Sequence, residues 1–385
     1  MALIVKKFGG TSVGDLKKIE KVALKGLDAQ KEGHQIVIVV SAMAGETNRL
    51  VEMAAAFQDF PGGREYDVLV STGEQVTISL LAMAIQKLGG KSISFLGHQV
   101  KILTDKAHSK ARIREIEAER IHQALQAGQI VVVAGFQGVT EEGQVTTLGR
   151  GGSDTSAVAL AAALKADLCE IYTDVDGVYT TDPRVVPQAK RIDRISFEEM
   201  LEMSSMGAKV LQIRSVEMAA KFGVPLVVRS SFEEGPGTWV LKEEASMESQ
   251  TVTGISFDKN EAKLAVREVP DVPGIASKVF VPVSQAGINV DMIIQNISSS
   301  GKTDMTFTVP KSDLKQAQAI VEKVAKEIGA KQVEASEDVA KVSVIGLGMR
   351  SHAGIAAKMF ETLAKENINV QMISTSEIKI SIVIE

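Results

Sequence analysis

The chain has 385 residues, of which 45% are hydrophobic, and this is enough for roughly two or three packed domains. Lys and Arg number 43 against 48 Asp and Glu, so a net charge of -5 gives no basic excess to attract nucleic acid. The single cysteine, Cys169, excludes an internal disulfide and a thiolate metal site. Ala2 to Val5 is too short for a signal peptide, and no apolar run reaches the roughly 18 residues of a membrane span. We therefore expect a cytoplasmic protein with no membrane or nucleic-acid partner.

The first 240 residues alternate short, wholly apolar runs with longer helical periodicity. This pattern indicates an α/β fold with a mainly parallel sheet between layers of helices. The predicted strands are Leu3–Lys7, Ile36–Ser41, Ile130–Phe136 and Leu168–Tyr172, and the predicted helices are Leu16–Gln30, Gln75–Leu88, Arg114–Gln126 and Thr155–Leu164. In open α/β sheets ligands bind beyond the carboxyl ends of the strands, so the residues there are the first candidates for function.

An internal repeat follows a polar segment, 242–250, which we predict to be a linker after a catalytic domain at 1–241. Residues 274–293 and 354–373 are identical at ten of twenty positions with a constant offset of 80. Each copy reads as strand, glycine turn, helix, turn and strand, which predicts two α+β modules at 251–338 and 339–385. Pro282 lies inside the first predicted helix, where we expect a kink.

Two glycine-rich junctions have the composition of anion-binding loops. In KKFGGTSVGD, Gly9 and Gly10 let the backbone pass close to a ligand, and Lys7 supplies a positive charge. In TLGRGGSDTSAVALAAAL, a glycine loop leads into a helix whose first turn, near Ser153, can present free amides to an anion. Arg150 in that loop suits bidentate capture of a carboxylate or phosphate.

A third junction, YTDVDGVYTTDPR, follows a buried strand and carries Asp174, Asp176, Asp182 and Arg184. Asp176 precedes a glycine and indicates a solvated turn. Two common nucleotide motifs are excluded, because GGKS lacks the leading glycine of a Walker A loop and GLGMRSHAG lacks the third glycine of a dinucleotide fingerprint.

Taken together, seven segments resemble the aspartate kinases of the amino acid kinase family, over essentially the whole chain. They are KFGGTS from Lys7, VSAMAGETN from Val40, STGEQ from Ser71, AGFQG from Ala134, TTLGRGGSDTSA from Thr146, IYTDVDGVYTTDPR from Ile171 and FEEMLEMSSMGAKVL from Phe197. The repeated module resembles paired ACT domains, which have a ferredoxin-like fold. The resemblance implies ATP-dependent phosphorylation of the aspartate side-chain carboxylate to 4-phospho-L-aspartate, the first step of lysine, threonine and methionine biosynthesis, under feedback control.

The resemblance also implies roles for individual residues. Lys7 and Asp154 would be catalytic, Glu74 would face the substrate ammonium and Arg150 its α-carboxylate. ATP would be bound by Lys7, Gly9, Gly10, Ser41, Thr173, Asp174, Tyr179, Asp182, Arg184 and Lys209, and aspartate by Thr47, Glu74, Arg150, Gly151, Gly152 and Ser153. Mg²⁺ would accompany ATP, and no metal ligand is assigned from protein side chains alone.

The ACT pair would bind lysine, threonine or both between the repeats and would join chains into a homodimer or higher oligomer. The candidate effector residues are Asp271, Gly274, Ile275, Ala276, Asp291, Gln295, His352, Asn369, Ser376 and Glu377. Asp291 and Glu377 suit an effector's ammonium. The second module looks unfinished at Glu385, so we expect Ile380, Ile382 and Ile384 to lack full cover.

Two alternatives remain open at this point. One is another kinase of the same family, acting on glutamate, acetylglutamate or a nucleoside monophosphate, and the other is a catalytically dead sensor that acts through its ACT pair. A carboxylate acceptor with a pKa of ~4 is already ionised at neutral pH and needs no general base. The absence of histidine from the three glycine-bearing junctions agrees with such an acceptor.

Overall fold

The computed structural model describes residues 1–58, 62–205, 210–243, 251–297, 301–350, 352 and 354–385. These residues divide into two compact units, one up to residue 243 and one from residue 251. The chain passes from the first unit to the second within the predicted linker, most of which lies outside the described residues.

The first unit is built from twelve strands and eight helices among its described residues. The strands are β1 (Leu3–Phe8), β2 (Gln35–Val40), β3 (Ser92–Phe95), β4 (Ile102–Thr104), β5 (Ile113–Ile116), β6 (Ile130–Ala134), β7 (Gln137–Val139), β8 (Val145–Thr147), β9 (Leu168–Thr173), β10 (Arg194–Ser196), β11 (Leu226–Ser230) and β12 (Thr238–Leu241). The helices are α1 (Leu16–Lys31), α2 (Glu46–Ala55), α3 (Arg64–Val70), α4 (Thr72–Lys87), α5 (Glu119–Gln126), α6 (Gly152–Leu164), α7 (Phe197–Ser205) and α8 (Ile213–Phe222).

Eight of these strands form one sheet in the order β10-β12-β11-β9-β1-β2-β6-β3. The six strands from β11 to β3 run parallel, and β12 runs antiparallel to β11. The central strands are buried on both faces, since every residue from Ile36 to Val40 and from Ile130 to Ala134 has no exposed surface. Their uniform apolar sequence is the reason why the parallel sheet could be predicted, and the α/β prediction is confirmed.

The predicted helix Arg114–Gln126 is wrong in its first part. Ile113–Ile116 forms β5, which pairs with β4 in a second, four-stranded sheet of order β5-β4-β7-β8, and the helix begins only at Glu119. Ile116 lies opposite Ile102 in this pairing. The two isoleucines of IREI are three residues apart, which is the spacing of one helical turn, so the local sequence favours a helix. The pairing with β4 overrides this preference.

One helical stretch, Arg64–Lys87, is long and apolar enough to cross a membrane by length and composition, contrary to our expectation. It comprises α3 and α4 with the turn between them. Half of its most apolar window is buried, and Leu81 and Ile85 pack into the core of the first unit. These contacts are those of a core helix in a folded domain, which passes the same test.

The second unit has one six-stranded sheet of order β14-β15-β13-β16-β18-β17. Its strands are β13 (Gly254–Pro270), β14 (Ile293–Ile297), β15 (Lys302–Pro310), β16 (Gln332–Ile345), β17 (Val370–Thr375) and β18 (Lys379–Ile384), and its helices are α9 (Ile275–Gln285), α10 (Leu314–Ile328) and α11 (Ile355–Lys365). The repeat is visible in the structure, because α9 and α11 have equal length and each follows a left-handed glycine, Gly274 or Gly354. Pro282 lies within α9.

The two modules share their longest strands, so the predicted boundary at residue 339 falls inside β16. The first half of β16 pairs with Glu261–Arg267 of β13, and the second half pairs with Gly254–Asp258 of the same strand. The start of β13, Gly254–Asp258, therefore lies in the part of the sheet that belongs to the second module. The first half of β16 lies in the part that belongs to the first module. The sequence repeat at 274–293 and 354–373 lies outside β13 and β16, so it could not show that the two modules share these strands.

The expectation for the last strand was wrong for Ile380 and Ile382. Ile380 and Ile382 are buried, with 7% and no exposure. Val383, on the opposite face of β18, packs with Met292, Val339 and Met372. Both faces of the strand are therefore covered as far as Val383, and Ile384 at its end is partly exposed.

We predict that Gly237, in the turn between β11 and β12, cannot be replaced by alanine. Its φ is +73°, and a Cβ there would lie 2.2 Å from the carbonyl oxygen of Val228. Gly237→Ala should lower the free energy of unfolding by about 2 kcal/mol or more, measured by urea denaturation. Gly235→Ala is the matched control, because its Cβ would meet nothing nearer than Arg191 Nη1 at 3.9 Å. Equal stability of the two variants would contradict this reading of the turn.

Candidate active site

The candidate site lies where the parallel strands end. Gly9 and Gly10 follow β1, Ser41 follows β2, Gly135 follows β6, and Thr173 is the last residue of β9. Because these strands are adjacent and parallel, their carboxyl ends lie along one edge of the sheet. Three separate sequence motifs are brought together there.

Lys7 and Asp154 form an ion pair at this edge. Lys7 Nζ lies 2.6 Å from Asp154 Oδ1, and each side chain is only 11% exposed. Asp154 stands in the first turn of α6, close to the helix N-terminus. A Cβ on Gly9 would lie 3.5 Å from Lys7 Nζ, so the ammonium lies directly beside the glycine loop. The structure thus joins the two residues for which the sequence implies a catalytic role.

Gly10 and Glu74 both contact Ala42, in the loop after β2. A Cβ on Gly10 would lie 2.9 Å from the Ala42 carbonyl oxygen, so the glycine is required by this close approach. On its other side the Ala42 amide donates a 3.0 Å hydrogen bond to Glu74 Oε1. One backbone residue therefore fixes the distance between the glycine loop and the carboxyl group of Glu74.

Glu74 is a buried acid with an open acceptor. Its exposure is 2%, and Oε2 has no hydrogen-bond partner among the residues that the structure describes. Burial raises the pKa of Glu74 to about 7, and the hydrogen bond from Ala42 acts in the opposite direction without cancelling it. A buried carboxyl group with a free oxygen is suited to receive a cationic group from a ligand.

Arg150 lies on an exposed turn that leads into α6. Gly149 and Gly151 flank it, with φ of +80° and +74°. A Cβ on Gly151 would lie 2.3 Å from Gln212 Cγ, so both space and backbone angle require glycine. Arg150 has no ion-pair or hydrogen-bond partner in the described part of the chain. It is available to a ligand.

The start of α6 packs closely on the end of β6. Ser153 is buried, and a Cβ on Gly135 would lie 2.8 Å from Ser153 Oγ. Gly152 is the first residue of α6, and Thr47 is half-buried near the start of α2. The first turn of α6 thus lies at the same edge of the sheet as Lys7, which pairs with Asp154 in that turn.

The residues expected on the adenosine side follow β9. Thr173 Oγ1 donates to Asp174 Oδ1 at 3.1 Å, and Arg184 pairs with Asp182 at 2.8 Å while 87% of its side chain is exposed. Tyr179 is held through its hydroxyl, which donates to Asp176 Oδ1 at 2.9 Å. The interpretation of Asp176 as a solvated turn residue was wrong, because this carboxylate also lies 3.6 Å from Arg191 Nη1 and is half-buried. Lys209 lies outside the described residues.

Sequence reasoning missed Ser231, whose hydroxyl lies 2.5 Å from that of Ser12. The contact ties the end of β11 to the short helical turn that follows Gly9, across 219 residues of sequence. The amide of Ser231 also donates to the carbonyl of Thr173 at 2.8 Å. A serine pair after an apolar strand is the available signal, and it is too common to identify a site.

Both carboxylates proposed for an effector's ammonium already have cationic partners. Asp291 pairs with Lys341, which is 2% exposed, and Glu377 lies 3.3 Å from Arg350 Nε. The Asp291 and Glu377 side chains are still 41% and 82% exposed, so an ammonium ligand would share each carboxylate with its present partner. Of the other candidates, Ile275 is buried, the Nδ1 of His352 lies 2.8 Å from a carbonyl oxygen, and the exposed or half-exposed residues are Asp271, Gly274, Ala276, Gln295, Asn369 and Ser376.

We predict that Glu74 makes the stability of the ligand-free protein fall as the pH rises from about 4.5 to about 7. In this window the unfolded chain releases the proton of Glu74, whereas the folded chain retains it, since burial raises its pKa. The loss should total roughly 3 kcal/mol, at about 1.4 kcal/mol for each pH unit. Urea denaturation across this range should show the loss in the wild type and not in Glu74→Gln. If the free energy of unfolding changed with pH in the same way in both proteins, Glu74 would not be protonated in the folded state.

The chain was compared with known protein families. The sequence model described as amino acid kinase family matches residues 2–230, and that of the ACT domain matches residues 263–324 and 342–385. The aspartate kinase of Stutzerimonas stutzeri is 61% identical over 386 residues, which cover all of this chain and 94% of that protein. The aspartokinase of Pseudomonas aeruginosa is 60% identical with the same coverage.

Solved structures agree with these relatives. Escherichia coli aspartokinase III in complex with aspartate and ADP is 28% identical, with a TM-score of 0.82 over 99% of this chain and 96% of that one. The same enzyme in complex with lysine and aspartate gives a TM-score of 0.78 at the same identity, over 99% and 95% of the two chains. This chain belongs to the aspartate kinases of the amino acid kinase family.

Proposed function

We propose that this chain transfers the γ-phosphoryl group of ATP to the side-chain carboxylate of L-aspartate, giving ADP and 4-phospho-L-aspartate. The observation that carries the proposal is the Lys7–Asp154 pair beside the glycine loop, with the open carboxyl oxygen of Glu74 linked to that loop through Ala42. Aspartate kinases at 60–61% identity along the whole chain support the same activity. A cytoplasmic location is part of the proposal, since ATP is used there.

ATP would lie across the ends of β1 and β9. Gly9 and Gly10 would let its phosphates approach the backbone, with Lys7 beside them as the counter-charge and Ser41 nearby. The adenosine would lie toward the residues after β9, which are Thr173, Asp174, Tyr179, Asp182 and Arg184. Lys209 is a further candidate from the sequence. The aspartokinase III structure with ADP and aspartate supports nucleotide use by this fold.

Aspartate would lie between α4 and the start of α6. Glu74 would accept the substrate ammonium on its open oxygen, and Arg150 would bind the α-carboxylate through two parallel hydrogen bonds. Thr47, Gly151, Gly152 and Ser153 would complete this pocket. In this arrangement the β-carboxylate of the substrate points toward the ammonium of Lys7.

The reaction requires charge neutralisation more than acid–base chemistry. An ionised carboxylate oxygen of aspartate attacks the γ-phosphorus, the bond from that phosphorus to the bridging oxygen breaks, and ADP leaves with the electron pair. Lys7 stabilises the negative charge on the transferred group, and the amides of α6 act on the same side. No proton has to be removed from the nucleophile, so the reaction needs no general base.

Mg²⁺ would supply further positive charge to the ATP phosphates. No group of three His, Cys, Asp or Glu side chains suited to a metal is present among the described residues. Magnesium commonly uses one or two carboxylates together with substrate phosphates, so a site completed by ATP fits these residues. Asp154 is the carboxylate placed to contribute an oxygen.

The second unit would be the regulatory half, after a catalytic domain at 1–241 and a linker at 242–250. Its two modules share β13 and β16, so 251–338 and 339–385 describe the repeat and not two separable domains. We propose that lysine, threonine or both bind there, and that chains associate through these modules. Aspartokinase III has been solved with lysine and aspartate in a T-state, which supports lysine as the effector.

We predict that mutations of Lys7 and Arg150 change different kinetic constants. Lys7→Met should lower kcat by at least about 100-fold, since its charge acts on the transferred phosphoryl group. Arg150→Met should chiefly raise the aspartate KM, by about tenfold or more. Trapping of the acyl phosphate as hydroxamate measures both, and glutamate and acetylglutamate serve as alternative acceptors. Turnover by the Lys7 variant at the wild-type rate would contradict the site, and a preference for another acceptor would contradict the substrate.

We predict that lysine or threonine inhibits the kinase and that Ser376→Phe weakens this inhibition at least tenfold. Ser376 is exposed in the turn between β17 and β18, where its amide donates to the carbonyl of Lys379 at 2.8 Å. A bulky ring at this turn would obstruct a ligand bound beside it. Ser312→Phe, at an exposed serine before α10, is the control and should leave inhibition unchanged. Identical inhibition curves for both variants would remove Ser376 from the effector site.

A further inference from the structure

We propose that Asp67 is a positioning residue for aspartate binding. It fixes the loop that carries Arg150 in position relative to the helix that carries Glu74. The inference rests on the proposed function, because it concerns how the aspartate pocket is assembled. Asp67 lies in α3, has no exposed surface and touches neither Lys7 nor Asp154 in the contacts described above. Its role would be to fix other residues and not to contact the substrate.

Five hydrogen-bond contacts converge on the carboxylate of Asp67. The Ser109 amide lies 3.0 Å from both oxygens, and the Thr147 amide donates to Oδ2 at 3.0 Å. The Thr147 hydroxyl donates to Oδ1 at 2.6 Å, and Nδ1 of His108 lies 2.8 Å from Oδ2. These contacts use the acceptor capacity of the group, so its burial is matched by donors. A carboxylate surrounded in this way holds its donors rigidly.

The donors of Asp67 enclose the turn that carries Arg150. Thr147 is the last residue of β8 and stands three positions before Arg150. Gly149, between them, packs on Ser109, since a Cβ on Gly149 would lie 3.0 Å from the Ser109 carbonyl oxygen. Asp67 therefore fixes both the strand that enters the turn and the backbone on which the turn rests.

A second side chain closes the same turn. The guanidinium of Arg214 donates to the carbonyl of Leu148 at 2.7 Å and to that of Ala111 at 2.9 Å. Ala111 in turn donates its amide to the carbonyl of Thr147 at 2.9 Å. The turn is thus held by side chains from α3 and α8, whereas Arg150 itself is exposed and has no hydrogen-bond or ion-pair partner among the residues that the structure describes. Its position depends on this anchoring.

Asp67 also belongs to the segment that carries Glu74. Only Ser71 separates α3 from α4, and Glu74 follows Asp67 by seven residues. The carbonyl of Ser71 accepts a 3.1 Å hydrogen bond from Nε2 of Gln137, which prevents the turn between the two helices from shifting. One buried carboxylate therefore links the element that carries Glu74 with the loop that carries Arg150.

The ATP side is held by other contacts. The Gly9 amide lies 3.4 Å from the carbonyl of Tyr172, and Gly10 packs on Ala42. Neither contact involves Asp67 or its donors. Loss of the Asp67 contacts should therefore raise the KM for aspartate and leave the KM for ATP nearly unchanged.

The test uses full-length protein carrying Asp67→Asn or Thr147→Val. In Asp67→Asn the side-chain amide places an N–H donor against a backbone N–H. Thr147→Val removes only the contact of the Thr147 hydroxyl with Asp67. Thr104→Val is the matched control, because the Thr104 hydroxyl is buried in the same small sheet and contacts Thr146 at 2.7 Å. Steady-state kinetics with each substrate varied, together with thermal unfolding, give the comparison.

We expect Asp67→Asn and Thr147→Val to raise the aspartate KM about tenfold, with the ATP KM within about twofold of the wild type. Thr104→Val should change neither constant, even where its Tm falls as much as that of Thr147→Val. If Asp67→Asn does not fold, Thr147→Val decides alone. An unchanged aspartate KM in Thr147→Val, or an equal rise in Thr104→Val, overturns the positioning role. Wild-type protein that phosphorylates no aspartate contradicts the proposed function first, and this inference with it.

Discussion

The ion pair between Lys7 and Asp154 is the interaction on which the catalytic half depends. Two opposite charges, each largely removed from water, lie 2.6 Å apart at the edge of a parallel sheet. Burying such a pair costs desolvation free energy that the attraction between the charges only partly offsets, so it is weak as a source of stability. In the proposed reaction the pair has a chemical role instead, since a Lys7 ammonium kept partly out of water would act strongly on phosphate oxygens. The glycine loop, the end of β1 and the start of α6 are arranged around this pair.

Much of this arrangement could be predicted because it is local in sequence. The apolar strands, the glycines beside Lys7 and Arg150, and the internal repeat are each contained within short segments. What brings the segments together is not local. Asp67 meets donors 41 to 80 residues away, and the Ser12–Ser231 contact spans 219 residues. No periodicity or motif encodes such pairings, and a buried aspartate in a helix has no signal that distinguishes it from an exposed one.

The errors in the sequence interpretation have the same origin. In IREI at 113–116 the two isoleucines have the spacing of a helical turn, and only the pairing with β4 makes the segment a strand. The assignment of Asp291 and Glu377 to an effector's ammonium stays a prediction, but the sequence could not show that Lys341 and Arg350 lie beside them. Charge indicates what a side chain can bind, whereas the fold decides what it binds first.

The sharing of β13 and β16 limits how the regulatory half can be divided. Each of these strands forms part of both modules, so a cut between the repeats at residue 339 would leave β18 beside a shortened strand and remove a neighbour from β13. A gene fragment that encodes a self-sufficient regulatory chain must therefore begin upstream of Gly254 and retain both modules. The sequence thus contains two copies of the module, but the strands that they share make them one folding unit.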